Sequence, residues 1–213
     1  MDTGYIALLI PAVLWILACI RSSFKRHTQV TAACILILLI WGQAATSLKG
    51  WSLLTGLMLS IAGDFLLSYR KNRQTWYAGG IACFFGAHVM FLMFSLFHGI
   101  DLTRALILFT LITIACLIYF RLSLSPALAS AGFCALVLLY ILVSAASFAF
   151  AVSLQGDWTI RAAFSVAIGL ILFSDILISQ TDFLNKKKHA RLIIPTYLAA
   201  HLLITVAGLA AVI

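Results

Sequence analysis

The feature that most constrains this chain is a succession of long apolar stretches separated by short polar segments. Several stretches contain 17 or more residues, which is enough for a helix to cross the ~30 Å hydrocarbon core of a bilayer. The composition agrees, because 64% of the 213 residues are hydrophobic and only 9% are charged, whereas soluble domains carry about 25% charged residues. The sequence therefore predicts an all-α, polytopic membrane bundle and excludes a soluble domain.

The polar segments divide the chain into eight predicted transmembrane helices. These spans cover residues 4–20, 28–46, 51–69, 76–97, 104–120, 126–152, 161–180 and 192–212. Because the connections are short, we expect residues 1–213 to form a single transmembrane domain. The first apolar stretch follows Met1 and Asp2 with no basic segment before it, so we interpret it as a mature helix rather than a signal peptide.

Basic residues are distributed unevenly between the two ends of these spans. With the N-terminus outside, the connections after spans 1, 3, 5 and 7 carry eleven basic residues, and the opposite side carries three. The positive-inside rule then predicts that both termini lie on the non-cytoplasmic side, of the cytoplasmic (inner) membrane if the source is bacterial. The net charge of +8 is thus mainly a topology signal and does not indicate nucleic-acid binding.

Two aspartates, Asp64 and Asp175, lie inside predicted spans. The other acids are placed outside the spans, with Asp182 in the connection after span 7. A charged group near the centre of a membrane helix costs roughly 2.5–3.5 kcal/mol on insertion scales. Each of the two aspartates is expected about one and a half turns from the inner end of its helix, deep enough to need a partner and shallow enough to meet water.

The two aspartates occupy similar settings. The segments "GDFLLS" and "SDILIS" each place a serine, Ser68 or Ser179, four residues after the aspartate. The aspartates are 111 residues apart, a separation that spans four helices. This spacing predicts two parallel four-helix repeats, about 1–100 and 101–213, related by a pseudo-two-fold axis along the membrane normal.

Each predicted repeat continues with a helix that carries a tyrosine and a histidine. These are Tyr77 and His88 in the first half and Tyr197 and His201 in the second. The spacing of Tyr197 and His201 is i, i+4, and the spacing of eleven between Tyr77 and His88 corresponds to about three turns, so each pair shares one helix face. We expect spans 3, 4, 7 and 8 to direct both acids at one cavity.

At these positions the sequence resembles the YhhN-like lysoplasmalogenase family of eight-span membrane proteins. The resemblance is carried by Gly63-Asp64-x-x-Leu67 and by the segments "GIACFFGAH", "FSDILI" and "YLAAHLLI". It implies hydrolysis of the vinyl ether bond of lysoplasmalogens, with release of a fatty aldehyde and glycerophospho-ethanolamine or -choline. Family members often have Lys-Pro at the start of span 2, whereas this chain reads Lys25-Arg26-His27, and no role is transferred to that position.

Vinyl ether hydrolysis needs one proton donor and one negative group that stabilises a cation and orients water. Asp64 and Asp175 are the candidates, with the assignment of acid and carboxylate left open, and His88 and His201 are expected to position water, relay protons or fix the acids. The expected catalytic residues are therefore Asp64, Asp175, His88 and His201. The expected substrate-binding residues are Tyr77, Tyr197, Ser68 and Ser179, together with Arg70, Lys71, Arg73, Lys187 and Arg191 for the lipid phosphate. No cofactor or metal is expected, and the expected partners are a lysophospholipid and membrane lipids.

Other interpretations of the same residues stay open. The aspartates can hold the bundle together by bonding to neighbouring helices. Two Asp and two His can ligate zinc in a metal-dependent lipid hydrolase. Parallel repeats with intramembrane acids also suit a proton-coupled transporter of lipids or small molecules. An intramembrane aspartyl protease is excluded, because its Gly-x-Gly-Asp motif would require a glycine at Ile61.

Overall fold

The computed structural model describes residues 3–21, 23–42, 44–69, 74–128 and 130–211, and within them the regular structure is helical. The α-helices in this part of the chain are α1 (Thr3–Ala7), α2 (Leu9–Ile20), α3 (Phe24–Ile40), α4 (Leu48–Ser68), α5 (Gln74–His98), α6 (Leu102–Tyr119), α7 (Ala131–Val152), α8 (Trp158–Asp182) and α9 (Ile193–Ala210).

Seven helical segments of the described residues are long and apolar enough to cross a membrane, which makes this chain an integral, multi-pass membrane protein. The first segment, Thr3–Ile20, combines α1 and α2. The remaining predicted span corresponds to α3, which has 17 residues and packs against α2, α4 and α9. The count of eight spans and the two-repeat arrangement stay predictions.

Helix α3, Phe24–Ile40, is shifted toward the N-terminus relative to the predicted span 28–46: both its first and its last residue come earlier in the chain. Ser23 caps its N-terminus, because the Ser23 hydroxyl accepts a hydrogen bond from the backbone N–H of Arg26 at 3.4 Å. Lys25 and Arg26 therefore lie in the first turn of a helix instead of in a connection, and the Arg26 guanidinium donates to the carbonyl of Leu17 at 2.8 Å. A capping serine and a basic first turn extend the helix beyond its apolar stretch.

Two helix pairs, α4 with α5 and α8 with α9, form the centre of the bundle. Helix α3 packs on α4 and α9, and α7 packs on α5, α6 and α8, while α6 lies at the periphery against α7. The main hydrophobic core fills the half of the bundle remote from the connections after α4, α6 and α8. Its largest fully buried side chains include Leu53, Leu57, Phe91, Phe94, Phe164 and Ile168.

Glycines bring α4 and α5 close together. A Cβ atom added at Gly56 would lie 2.4 Å from the ring of Phe91, and one added at Gly63 would lie 2.8 Å from the ring of Phe84. Both distances are shorter than a carbon–carbon contact permits, so the aromatic rings of α5 occupy the space that a side chain on α4 would need. Gly63 thereby fixes the position of α5 next to Asp64.

At the opposite end of the bundle, two connections are tied by backbone hydrogen bonds. Ile100 and Leu154 form an isolated antiparallel bridge. The N–H of Asp101 donates to the carbonyl of Ser153 at 2.9 Å, and the N–H of Gln155 donates to the carbonyl of Gly99 at 3.1 Å. These bonds fix α5 and α6 relative to α7 and α8, far from the cavity described below.

Candidate active site

A cavity of about 640 Å³ lies at the end of the bundle where α4, α6 and α8 finish and α5, α7 and α9 begin. Its size is within the range of small-molecule sites. Most of its wall is apolar, formed by side chains such as Ile81, Phe84, Val137 and Ile141. The polar residues in the wall are His27, Asp64, Ser68, Tyr77, Tyr119, Tyr140, Ser144, Asp175, Ser179, Gln180, Thr181, Asp182 and Tyr197.

Asp64 and Asp175 both line this cavity, at different depths. Asp64 lies four residues before the end of α4, about one helical turn. Asp175 lies seven residues before the end of α8, about two turns, because α8 continues beyond the predicted boundary to Asp182. The structure thus brings the two intramembrane acids to one site, and their catalytic role stays a prediction.

The Asp175 carboxylate has two polar neighbours on other helices. The Tyr140 hydroxyl on α7 donates a hydrogen bond to Oδ2 of Asp175 across 2.6 Å. Nε2 of His88 on α5 lies 3.5 Å from the same oxygen and 3.4 Å from the Tyr140 hydroxyl. The Asp175 side chain is 19% exposed, whereas that of His88 is 2% exposed. His88 is therefore behind the cavity wall and reaches the site through Asp175 and Tyr140.

The surroundings of Asp64 are different. Tyr197 is its polar neighbour, and the Tyr197 hydroxyl also lies close to Ser60. No hydrogen bond of ordinary geometry joins Tyr197 to Asp64. Oδ2 of Asp64 and the Tyr197 hydroxyl are both buried and have no hydrogen-bond partner among the described residues. Buried polar groups normally have partners, so these two atoms indicate a place for water or for a polar group of a ligand.

His201 lies farther from the cavity than predicted. It is fully buried, and its Nδ1 atom lies 2.9 Å from the hydroxyl of Thr31 on α3. The same hydroxyl also lies within hydrogen-bond distance, 3.2 Å, of the carbonyl of His27 in the preceding turn of α3. The His201 ring packs edge-to-face on Tyr197 with the ring centroids 4.4 Å apart. His201 therefore supports a cavity tyrosine and does not itself line the cavity.

The predicted substrate-binding residues of the helices all line the cavity. Tyr77 donates to Oδ2 of Asp182 at 3.2 Å. Ser68 donates to the carbonyl of Phe65 at 2.7 Å. Ser179 lies 2.9 Å from the hydroxyl of Tyr119, which joins α8 to α6 across the cavity. The hydroxyl groups of these three residues therefore form hydrogen bonds within the protein, while their side chains line the cavity.

None of the basic residues predicted to bind the lipid phosphate is found in the cavity wall among the described residues. Arg70, Lys71 and Arg73 lie outside the described residues. Lys187 and Arg191 are exposed on the connection between α8 and α9, and neither lines the cavity. Ala190, next to Arg191, does line it, so this connection forms part of the cavity rim.

Sequence reasoning missed seven polar residues of the cavity, namely His27, Tyr119, Tyr140, Ser144, Gln180, Thr181 and Asp182. Asp182 was placed in a connection, but it is the last residue of α8. Tyr140 belongs to neither copy of the repeated pattern. Its only signal is the i, i+4 spacing with Ser144 in the otherwise apolar helix α7.

The residues required by a metal-dependent hydrolase do not form a ligand set. Among the described residues, no group of three or more His, Cys, Asp or Glu side chains is placed to hold a metal ion. His88 contacts Asp175 and Tyr140, whereas His201 contacts Thr31 on another helix. The two histidines and two aspartates therefore do not converge on one point.

Comparison with known proteins identifies the family. The model of the YhhN family matches residues 24–208, which include α3 to α8 in full and nearly all of α9. A search of curated proteins and of solved structures found no significant match. The matched region contains both aspartates and every helix that lines the cavity, and the resemblance inferred from the sequence is confirmed: this chain is a member of the YhhN family.

Proposed function

We propose that this protein hydrolyses the vinyl ether bond of lysoplasmalogens and releases a fatty aldehyde and a glycerophospho-ethanolamine or -choline. The observation that carries the proposal is the position of Asp64 and Asp175 in the wall of one largely apolar cavity. Asp64 belongs to the central helix pair α4 and α5, and Asp175 belongs to the pair α8 and α9. One pair lies in each of the two predicted repeats.

The proposed reaction begins with transfer of a proton from one carboxylic acid to the β-carbon of the vinyl ether. The resulting oxocarbenium ion is stabilised by the second, negatively charged carboxylate. Water then attacks the cationic carbon and loses one proton to the carboxylate that acted as the acid, which gives a hemiacetal. The hemiacetal breaks its bond to the glycerol oxygen as its hydroxyl proton moves to that oxygen, so the products are an aldehyde and an alcohol.

The cavity supports a lipid as the substrate. Its apolar wall suits a long alkenyl chain, and its rim includes the basic connection between α8 and α9. Helix α6 separates the cavity from the outer surface of the bundle. Ala115, Cys116 and Tyr119 face the cavity, while Ile114 and Ile118 on the same helix are exposed to the surrounding membrane. At this side, α6 is the helix that lies between the cavity and a substrate arriving from the membrane.

The histidines act in this proposal through their neighbours. His88 contacts Asp175 and the Tyr140 hydroxyl from behind the wall. His201 supports the ring of Tyr197, whose hydroxyl faces the site beside Asp64. Both residues therefore hold reacting or binding groups in position.

The test is an assay of the purified protein with lysolipids that differ in one bond. The panel contains vinyl-ether, alkyl-ether and ester forms with the same head group, and the readout is aldehyde release together with mass detection of all products. The proposal expects aldehyde from the vinyl-ether lipid alone. Cleavage of the ester form instead would indicate a general lysophospholipase. Binding or movement of the lipids between vesicles with every bond intact would favour the transporter.

A further inference from the structure

The two aspartates of the cavity differ in how they are held. Asp175 accepts a hydrogen bond of 2.6 Å from Tyr140 and has His88 3.5 Å away. Oδ2 of Asp64 is buried and has no hydrogen-bond partner among the described residues. The difference comes from the neighbouring helices, because α7 places Tyr140 and α5 places His88 next to Asp175.

We propose that Tyr140 is the positioning residue that makes Asp175 the anionic member of the pair and leaves Asp64 as the proton donor. This inference rests on the proposed vinyl ether hydrolysis and assigns the two roles that the sequence left open. Nothing in the repeated sequence pattern indicates Tyr140, because it lies outside the helices that carry the duplicated residues.

The hydrogen-bond geometry supports the assignment to Asp175. A phenol can donate only one proton, and at Asp175 it is directed at a carboxylate oxygen. A distance of 2.6 Å falls in the range of O–H···O⁻ bonds, about 2.5–2.7 Å, which are shorter than bonds between neutral hydroxyl groups. A negative charge in a largely apolar cavity wall needs such a donor.

The surroundings of Asp64 support the complementary role. Its Oδ2 atom is buried without a hydrogen bond among the described residues, although the Tyr197 hydroxyl lies beside the carboxyl group. A negative charge on Asp64 would therefore be compensated less well than one on Asp175. The protonated carboxylic acid avoids this cost and carries the proton that the first step needs. After that step, the attacking water restores the proton to Asp64, while Asp175 stays anionic and faces the cationic carbon.

Tyr119 provides a matched control. It is a second tyrosine of the cavity wall, but its hydroxyl forms a hydrogen bond of 2.9 Å with Ser179 and none with an aspartate of the described residues. Tyr119→Phe and Tyr140→Phe each remove one phenolic oxygen from the same cavity. Only the second change removes a hydrogen bond to a carboxylate.

The experiment compares Tyr140→Phe and Tyr119→Phe, each alone and combined with Asp175→Asn, in purified protein with the vinyl-ether lysolipid. Thermal unfolding and binding of the uncleavable alkyl-ether lysolipid are measured in parallel. We expect Tyr140→Phe to lower kcat by roughly tenfold or more with little change in KM, and to leave alkyl-ether binding intact. In the Asp175→Asn background it should cause little further loss, because residues that act as a unit are not additive. Tyr119→Phe should not show this dependence on Asp175.

Three outcomes would overturn the assignment. The first is a folded Tyr140→Phe variant with nearly normal kcat. The second is a Tyr140→Phe change that lowers kcat by the same factor in the Asp175→Asn background as in the wild type. Both would leave the proposed function intact if wild-type protein releases aldehyde. The third is the absence of aldehyde release from wild-type protein, which overturns the proposed function and this inference together. If Tyr140→Phe does not fold, Tyr140→Met replaces it with the same expectations, since it also removes the hydroxyl that bonds to Asp175.

Discussion

Nδ1 of His201 and the hydroxyl of Thr31 share a hydrogen bond of 2.9 Å, which joins α9 to α3 behind the cavity wall. Both side chains are fully buried. The bond fixes the ring on which Tyr197 packs, so it links the packing of α3 to the position of a cavity tyrosine.

Thr31→Val should therefore destabilise the protein. The change keeps the shape but leaves Nδ1 of His201 buried without its hydrogen-bond partner, which costs about 1–3 kcal/mol. Thermal unfolding in detergent should show a clearly lower midpoint. Thr196→Val is the control, because within the described part of the chain the Thr196 hydroxyl bonds only to carbonyls of the preceding turn, those of Leu192 and Ile193. Equal midpoints for the two variants would contradict the importance of the Thr31–His201 bond.

Asp64→Asn and Asp175→Asn should each lower turnover by roughly 10²-fold or more, the scale expected for acid and electrostatic groups. Both variants should fold, since an amide is less costly than a carboxylate in a membrane helix. The two losses should be strongly non-additive, as for residues that act as one unit. The measurement is kcat with the vinyl-ether lysolipid, normalised to folded protein. Well-folded Asn variants with most of their turnover would disprove the two-carboxylate mechanism.

Gly63→Ala should weaken the packing of α4 on α5. The new methyl group would lie 2.8 Å from the Phe84 ring, and overpacking of this kind costs typically about 1–3 kcal/mol. Gly132→Ala is the matched control, because a Cβ added there meets nothing within 4 Å. Unfolding midpoints of the two variants provide the comparison. A Gly63→Ala variant as stable as the control would mean that the Phe84 ring moves without cost.

The orientation of the bundle can be tested by labelling introduced cysteines. The five natural cysteines are free and must first be replaced. Lys187→Cys, on the exposed connection between α8 and α9, should react from the cytoplasmic side, and Gln155→Cys, exposed at the opposite end, should react from the other. The basic asymmetry of the connections is the physical reason. The reverse pattern of labelling would place both termini in the cytoplasm.

Chelators should leave aldehyde release unchanged, because the proposed chemistry uses carboxylates. Elemental analysis of purified protein should then find no stoichiometric zinc. Loss of a bound metal in both His88→Ala and His201→Ala would instead establish the metal-dependent mechanism.

The sequence by itself determined the class of the protein and the position of most helices. Apolar stretches of helical length are most stable in the bilayer, so the membrane class and the order of these helices could be predicted from the sequence. The ends were less certain where polar residues extend a helix. Ser23 starts α3 earlier than its apolar stretch indicates, and α8 continues to Asp182.

The sequence also singled out Asp64 and Asp175, because a charge in an apolar helix is costly wherever that helix packs. Only the tertiary structure decided which groups meet them. Tyr140 reaches Asp175 from α7, while His201 bonds to Thr31 on α3 behind the wall. Such contacts depend on the rotation and crossing of separate helices, which side-chain packing sets across the whole bundle and no local pattern records.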